Sequence, residues 1–242
     1  MATVWHESIV TYIKEESPNT KLFGVKIQGE EIFNFKAGQF VTMDLPISDK
    51  RLKRWRSYSI ASEPNEHNTL EFCIAQLEGG AGTRYLFEDL KVGDTIKFKG
   101  PDGAFYLPAQ LENDLVFICT GTGVAPFRSM IHDLLAQSKA FRKIHVVFGT
   151  RYKSGILYAA EWQQLMIDFP DQIQFSVALS RENVAGTTQG YVHDIYRKMY
   201  PTPRADVAFY ICGWSAMIDE AVATLMVDLG YDKRQIHYEL YG

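Results

Sequence analysis

The chain has 242 residues, of which 46% are hydrophobic and 22% charged, with a net charge of −4. That length and balance suit one large or two ordinary soluble domains, and the acidic sign argues against general nucleic-acid binding. No apolar run approaches the roughly 20 residues that span a bilayer. The N-terminus, Met1-Ala-Thr-Val-Trp-His-Glu, carries neither the basic nor the apolar region of a signal peptide. Three cysteines, at 73, 119 and 212, give no disulfide framework and no metal-ligand spacing. The expectation is a reduced, cytoplasmic protein with no metal and no iron–sulfur cluster of its own.

Residues 1–110 read mostly as β-structure. Alternating or β-branched runs lie near 4–13, 20–28, 39–45, 56–61, 69–77 and 94–99. Ser17-Pro18-Asn19, Gly38, Asn65 and Pro101-Asp102-Gly103 punctuate them, and short strands at this spacing predict a small antiparallel barrel. One dense basic run, Asp49-Lys-Arg-Leu-Lys-Arg-Trp-Arg56, leads into Arg56-Ser-Tyr-Ser-Ile-Ala-Ser62. In an extended segment Arg56, Tyr58 and Ile60 share one face, while Ser57, Ser59 and Ala61 share the other. A guanidinium forks around a phosphate, and a tyrosine lies flat on a planar heterocycle, so the pattern suits a ligand with both parts. The same residues also make an ordinary amphipathic strand. Gly79-Gly80-Ala81-Gly82-Thr83 opens an inserted helix over 82–90; it reads either as a phosphate cradle or as a plain helix N-cap.

After about residue 111 the pattern changes. Strands are predicted at 115–119, 144–148, 173–179, 207–212 and 235–240, with helices at 124–138, 158–168, 191–199 and 215–229. This alternation predicts a doubly wound parallel sheet over 111–242, with ligands beyond the carboxyl ends of its strands. Gly121-Thr122-Gly123-Val-Ala-Pro126 follows the first of these strands. Its glycines permit close approach of a pyrophosphate, although Pro126 stands where a third glycine would complete the dinucleotide fingerprint. Cys212, before Gly213, reads by composition alone as an inert core cysteine. Arg151 and Ser180-Arg181-Glu182 follow two strands, so both arginines emerge at the carboxyl edge of the sheet. A hydroxyl with guanidiniums is what a 2′-phosphate calls for, whereas an NAD site more often places a carboxylate there. Ordinary surface arginines are the other reading.

Arg56-Ser-Tyr-Ser59, Gly82-Thr83, Gly121-Thr-Gly123, Cys212-Gly213 and Glu239-Leu-Tyr241 occur in that order. Together they resemble the motifs of the ferredoxin–NADP reductase family, from about residue 4 to 241. The resemblance implies an FAD-binding barrel at 1–110 and a Rossmann-like NADP domain at 111–242. It implies that Arg56, Tyr58 and Ser59, with Ile60 and Ser62 beside them, hold the flavin, and that Gly82 and Thr83 contact its pyrophosphate. Gly121, Thr122 and Gly123 would form the nicotinamide-nucleotide loop, and Arg151, Ser180 and Arg181 would select NADP. Ser59, Cys212, Gly213 and Glu239 would surround the reacting rings, with Tyr241 covering the flavin. Three departures stand out: Trp214 where a proline is common, Tyr191 after Gly190 where some bacterial members have an arginine, and Gly242 beyond the terminal aromatic.

The implied activity is hydride transfer from NADPH to FAD, then release of single electrons to ferredoxin or flavodoxin. Lys50, Arg51, Lys53 and Arg54 are either a solvated loop or a positive rim that steers such an acidic carrier. A monomer is expected. Two other readings remain: an NADH-dependent reductase component of an oxygenase, and a non-catalytic flavin- or nucleotide-binding regulatory subunit.

Overall fold

The computed structural model describes residues 4–29 and 31–240. The chain divides into two units, Met1–Leu107 with Ala125–Gln137, and Pro108–Val124 with Ser138–Gly242. Among the described residues, no helix is long and apolar enough to cross a membrane.

The first unit contains strands β1 (Trp5–Ser17), β2 (Thr20–Ile27), β3 (Phe40–Asp44), β4 (Trp55–Ser59), β5 (Thr69–Ala75) and β6 (Thr95–Asp102). They form one antiparallel sheet in the order β4-β3-β6-β1-β2-β5. Its two edges meet: Ile60 bridges Phe72, and the Ala61 N–H donates to the Glu71 carbonyl at 2.8 Å. The sheet thus closes on itself as the predicted barrel. Inward residues such as Phe23, Met43, Ile60, Phe72 and Phe98 are buried in its core. Each such burial stabilises the fold by about 1.5–3 kcal/mol.

Two helical features differ from expectation. The basic run forms a one-turn helix, α1 (Arg51–Arg54), rather than a loop. The helix predicted over 82–90 splits into α2 (Ala81–Arg84) and a wider π turn, Tyr85–Asp89. That turn accompanies the burial of Leu86 and Leu90. The third helix of this unit, α3 (Ala125–Ala136), comes from beyond residue 111. Arg128 Nη1 donates to the Ala61 carbonyl at 2.9 Å and pairs with Glu71 at 3.3 Å, and Ser129 Oγ donates to the Ser62 carbonyl at 2.6 Å.

The second unit is a parallel sheet of β7 (Asp114–Thr120), β8 (Ile144–Thr150), β9 (Ile173–Leu179), β10 (Thr188–Gln189), β11 (Val207–Gly213) and β12 (Ile236–Leu240). Its order is β10-β9-β8-β7-β11-β12, with every pairing parallel. The helices here are α4 (Ala159–Asp168), α5 (Val192–Met199) and α6 (Ser215–Ala223), the last continuing as a π turn, Thr224–Asp228. The central strand explains its own sequence: Leu115 to Cys119 are each at most 2% exposed, so an unbroken apolar run is required. Strand order reverses between β7 and β11, and such a switch point opens a crevice at the carboxyl ends of the strands. The fold class is therefore the predicted one, an antiparallel barrel followed by a doubly wound parallel sheet.

Candidate functional site

In the first unit the site is built on β4. Arg56 Nη1 donates to the carbonyls of Trp55 and Lys53 at 2.7 and 3.1 Å, which fixes the guanidinium. Among the described residues no carboxylate pairs with it. Gly82 lies against its stem, and a Cβ there would stand 3.0 Å from Arg56 Cγ and 3.2 Å from Nε. Two motifs some 25 residues apart in sequence are thus brought together as an uncompensated cation beside a bare helical turn. That combination fits a phosphate of the flavin.

Thr83 has a different local task. Its Oγ1 accepts the Leu77 N–H at 3.1 Å and lies 3.2 Å from the Gly80 carbonyl, tying the loop together, while Gly80 is the N-cap. Tyr58 packs against the barrel core, and burial pushes its hydroxyl up to about 12, so the ring stays neutral. Ser59 and Ile60 are buried. Ser57, by contrast, is exposed and hydrogen-bonds Thr42 at 3.0 Å. β4 ends at Ser59, and beyond it the chain turns inward to meet β5. Ser62 Oγ accepts the Glu71 N–H at 3.1 Å, continuing that junction.

The basic rim is smaller than expected on one side and larger on another. Arg54 forms a forked pair with Asp44, Nε–Oδ1 2.7 Å and Nη2–Oδ2 3.1 Å, so its charge is compensated. Lys50, Arg51 and Lys53 remain exposed. Arg51 lies over the Trp55 ring at 5.0 Å and is joined there by Lys99 at 4.7 Å. Lys99 escapes sequence reasoning because only the β3–β6 register, Thr42 opposite Lys99, brings it near the run.

In the second unit two glycines interlock the ends of β7 and β11. A Cβ on Gly123 would stand 2.3 Å from the Cys212 carbonyl oxygen, and one on Gly213 would stand 2.4 Å from Thr120 Oγ1. Gly121 adopts φ +52° with open space around it, and Thr122 lies between the two loop glycines. The bare turn fits a close-approaching pyrophosphate.

Cys119, Cys212 and Glu239 sit in register across β7, β11 and β12. Both thiols are fully buried, and burial holds that of Cys119 well above its usual range. Glu239 Oε2 is buried with no hydrogen-bond partner among the described residues, and desolvation lifts the carboxyl to about 7. A buried carboxylate left unsatisfied is costly, and such groups concentrate where a ligand completes them. Tyr241 and Gly242 lie outside the described residues.

At the carboxyl ends of β8 and β9 the pairing continues into the loops. The Ser180 N–H donates to the Thr150 carbonyl and the Arg181 N–H to the Arg151 carbonyl, each at 3.0 Å. Arg151 and Arg181 are exposed, and neither has a carboxylate partner among the described residues. Tyr191, 65% exposed, is the N-cap of α5 and follows Gly190, whose N–H bonds the Leu179 carbonyl at the end of β9 at 3.0 Å.

The oxidoreductase FAD-binding domain model matches residues 7–106, and the oxidoreductase NAD-binding domain model matches residues 117–223. A ferredoxin–NADP reductase B of Sorangium cellulosum is 30% identical, with 97% of each chain covered. A phenol hydroxylase P5 protein of Acinetobacter pittii is 31% identical over 98% of this chain, which spans 65% of that relative's length. Among solved structures, a cytochrome P450 reductase of Amycolatopsis superposes with a TM-score of 0.88 at 25% identity, covering 99% of this chain and 70% of that one. On this sequence likeness, this chain belongs to the ferredoxin reductase-type family of FAD- and NAD(P)-dependent oxidoreductases.

Proposed function

We propose that the protein takes a hydride from NADPH onto FAD and passes single electrons to ferredoxin or flavodoxin. When bound, FAD supplies the exchange between a two-electron donor and a one-electron acceptor. Arg56 holds a flavin phosphate beside Gly82, and Tyr58 and Ser59 hold the ring. Gly121, Thr122 and Gly123 receive the nucleotide pyrophosphate. Cys212 and Glu239 border the nicotinamide, with Gly213 leaving room and Tyr241 covering the flavin. Arg151, Ser180 and Arg181 take the 2′-phosphate.

The observation that carries turnover, as against a regulatory role, is Glu239: half-buried and in register with Cys212, its Oε2 buried with no hydrogen-bond partner among the described residues. A subunit that only bound nucleotide would have no use for it.

The acceptor docks on Lys50, Arg51 and Lys53, with Lys99 added and Arg54 excluded by its pairing to Asp44. Changing Lys50, Arg51 and Lys53 together to glutamine is expected to slow NADPH-driven ferredoxin reduction about tenfold at low salt, through lost steering. Reduction of a small uncharged dye should be unchanged. Equal loss of both activities contradicts the docking assignment, and absence of any ferredoxin or flavodoxin reduction contradicts the acceptor class. A second reading, electron supply to an oxygenase, is favoured by the likeness to the phenol hydroxylase component. It predicts preference for NADH.

A further inference from the structure

Glu182 stands next to the two arginines assigned to the 2′-phosphate, yet its carboxylate points its hydrogen bond elsewhere. Its Oε2 accepts the backbone N–H of Lys153 at 2.6 Å. Lys153 begins the short turn Lys153–Gly155, two residues after Arg151. Three bonds therefore join the loop after β8 to the loop after β9: Ser180 N–H to Thr150, Arg181 N–H to Arg151, and Lys153 N–H to Glu182. The first two are backbone bonds that any sequence makes. The third depends on the side chain at 182, and it extends the ladder beyond the two backbone bonds.

We propose that Glu182 is a positioning residue for nucleotide selection, rather than a ribose acceptor. The bond from the Arg181 N–H to the Arg151 carbonyl sets the two residues side by side on adjacent loops, where like charges repel unless an anion sits between them. A carboxylate free to turn would offer itself to the 2′- and 3′-hydroxyls of NAD, the usual device for that cofactor. Engaged by Lys153, it instead keeps the loops together and leaves the arginines for a phosphate. This inference rests on the NADPH reading above.

The sign of one substitution separates positioning from mere proximity. Removing a negative charge near a phosphate site should tighten phosphate binding. Removing the strut should loosen it. The test is calorimetric binding of adenosine 2′,5′-bisphosphate and of adenosine 5′-monophosphate to the FAD-loaded protein. Glu182→Ala is expected to weaken the bisphosphate about tenfold, the effect of one charge-assisted hydrogen bond, with less than a twofold change for the monophosphate. Glu182→Gln keeps an acceptor for Lys153 while losing the charge, and should bind the bisphosphate as tightly as the unmodified protein or tighter. Unchanged or tighter bisphosphate binding in Glu182→Ala overturns the proposal, as does an equal loss for both probes. If the unmodified protein binds the bisphosphate no better than the monophosphate, the NADPH reading itself falls, and the inference with it.

Discussion

Gly123→Ala is expected to reduce the rate at which NADPH bleaches the bound flavin by at least about a hundredfold, while the protein still retains FAD. The added methyl would lie 2.3 Å from the Cys212 carbonyl oxygen, 2.7 Å from its carbon and 2.9 Å from the Gly213 Cα. All three are main-chain atoms of β11, which is hydrogen-bonded on both sides, to β7 and β12. No side chain can swing away to make room. Overpacking of this kind costs about 1–3 kcal/mol, and a displacement of about 1 Å in a reacting group is enough for a hundredfold loss. The flavin determinants Arg56 and Gly82 belong to the other unit, so FAD content measured by absorbance should stay near that of the unmodified protein. A Gly123→Ala protein reduced at the full rate would remove the Gly121–Gly123 turn from the nucleotide site.

The second large effect concerns acid stability. His145 is 4% exposed in β8, with Nδ1 2.9 Å from the Tyr200 hydroxyl and Nε2 2.9 Å from Ser176 Oγ. Burial without a carboxylate partner lowers its pKa from 6.5 to about 4. The unfolded chain therefore binds a proton that the folded chain refuses between those values, and stability falls as pH drops from 6.5 toward 4. A shift of this size corresponds to about 3 kcal/mol.

Glu239 works in the opposite sense. Its folded pKa of about 7 exceeds the ordinary 4.5, so its contribution declines as pH rises through that window. In the intact protein the two slopes largely cancel between 4.5 and 6.5. Glu239→Gln should expose the histidine, making denaturant stability fall by about 3 kcal/mol between pH 6.5 and 4. His145→Gln should show the opposite slope, with stability rising by about 3 kcal/mol as pH falls from 7 to 4.5 through Glu239 alone. Parallel pH profiles for all three proteins would mean that His145 is not held neutral by the fold.

What could be read from sequence divides along physical lines. Strands such as β2 and β9, and the apolar run of β7, announce themselves because burial on one or both faces dictates their residues. Two-residue β10 is too short to carry any alternation. The π turns after α2 and α6 keep helical apolar spacing, so nothing local marks the change.

The site follows the same rule. Glycine-rich turns and the Arg56–Ser59 segment are local signals. The compensation of Arg54 by Asp44 and the arrival of Lys99 at Trp55 depend on strand register. So does the hold of α3 on the barrel, where Arg128 reaches a carbonyl 67 residues away. Glu182 illustrates the limit most clearly: nothing local in the sequence gives it a role, and only its bond to Lys153 ties the two loops together.

NADPH use by this protein is tested most directly by an anaerobic titration of its FAD-loaded form, following flavin absorbance as NADPH and, separately, NADH are added. Full bleaching is expected with NADPH at a concentration about tenfold or more below that needed for NADH, as for a site where two guanidiniums meet a 2′-phosphate. Bleaching by NADH at the lower concentration would contradict the assignment of Arg151, Ser180 and Arg181, and a flavin that neither nucleotide bleaches would contradict catalysis itself.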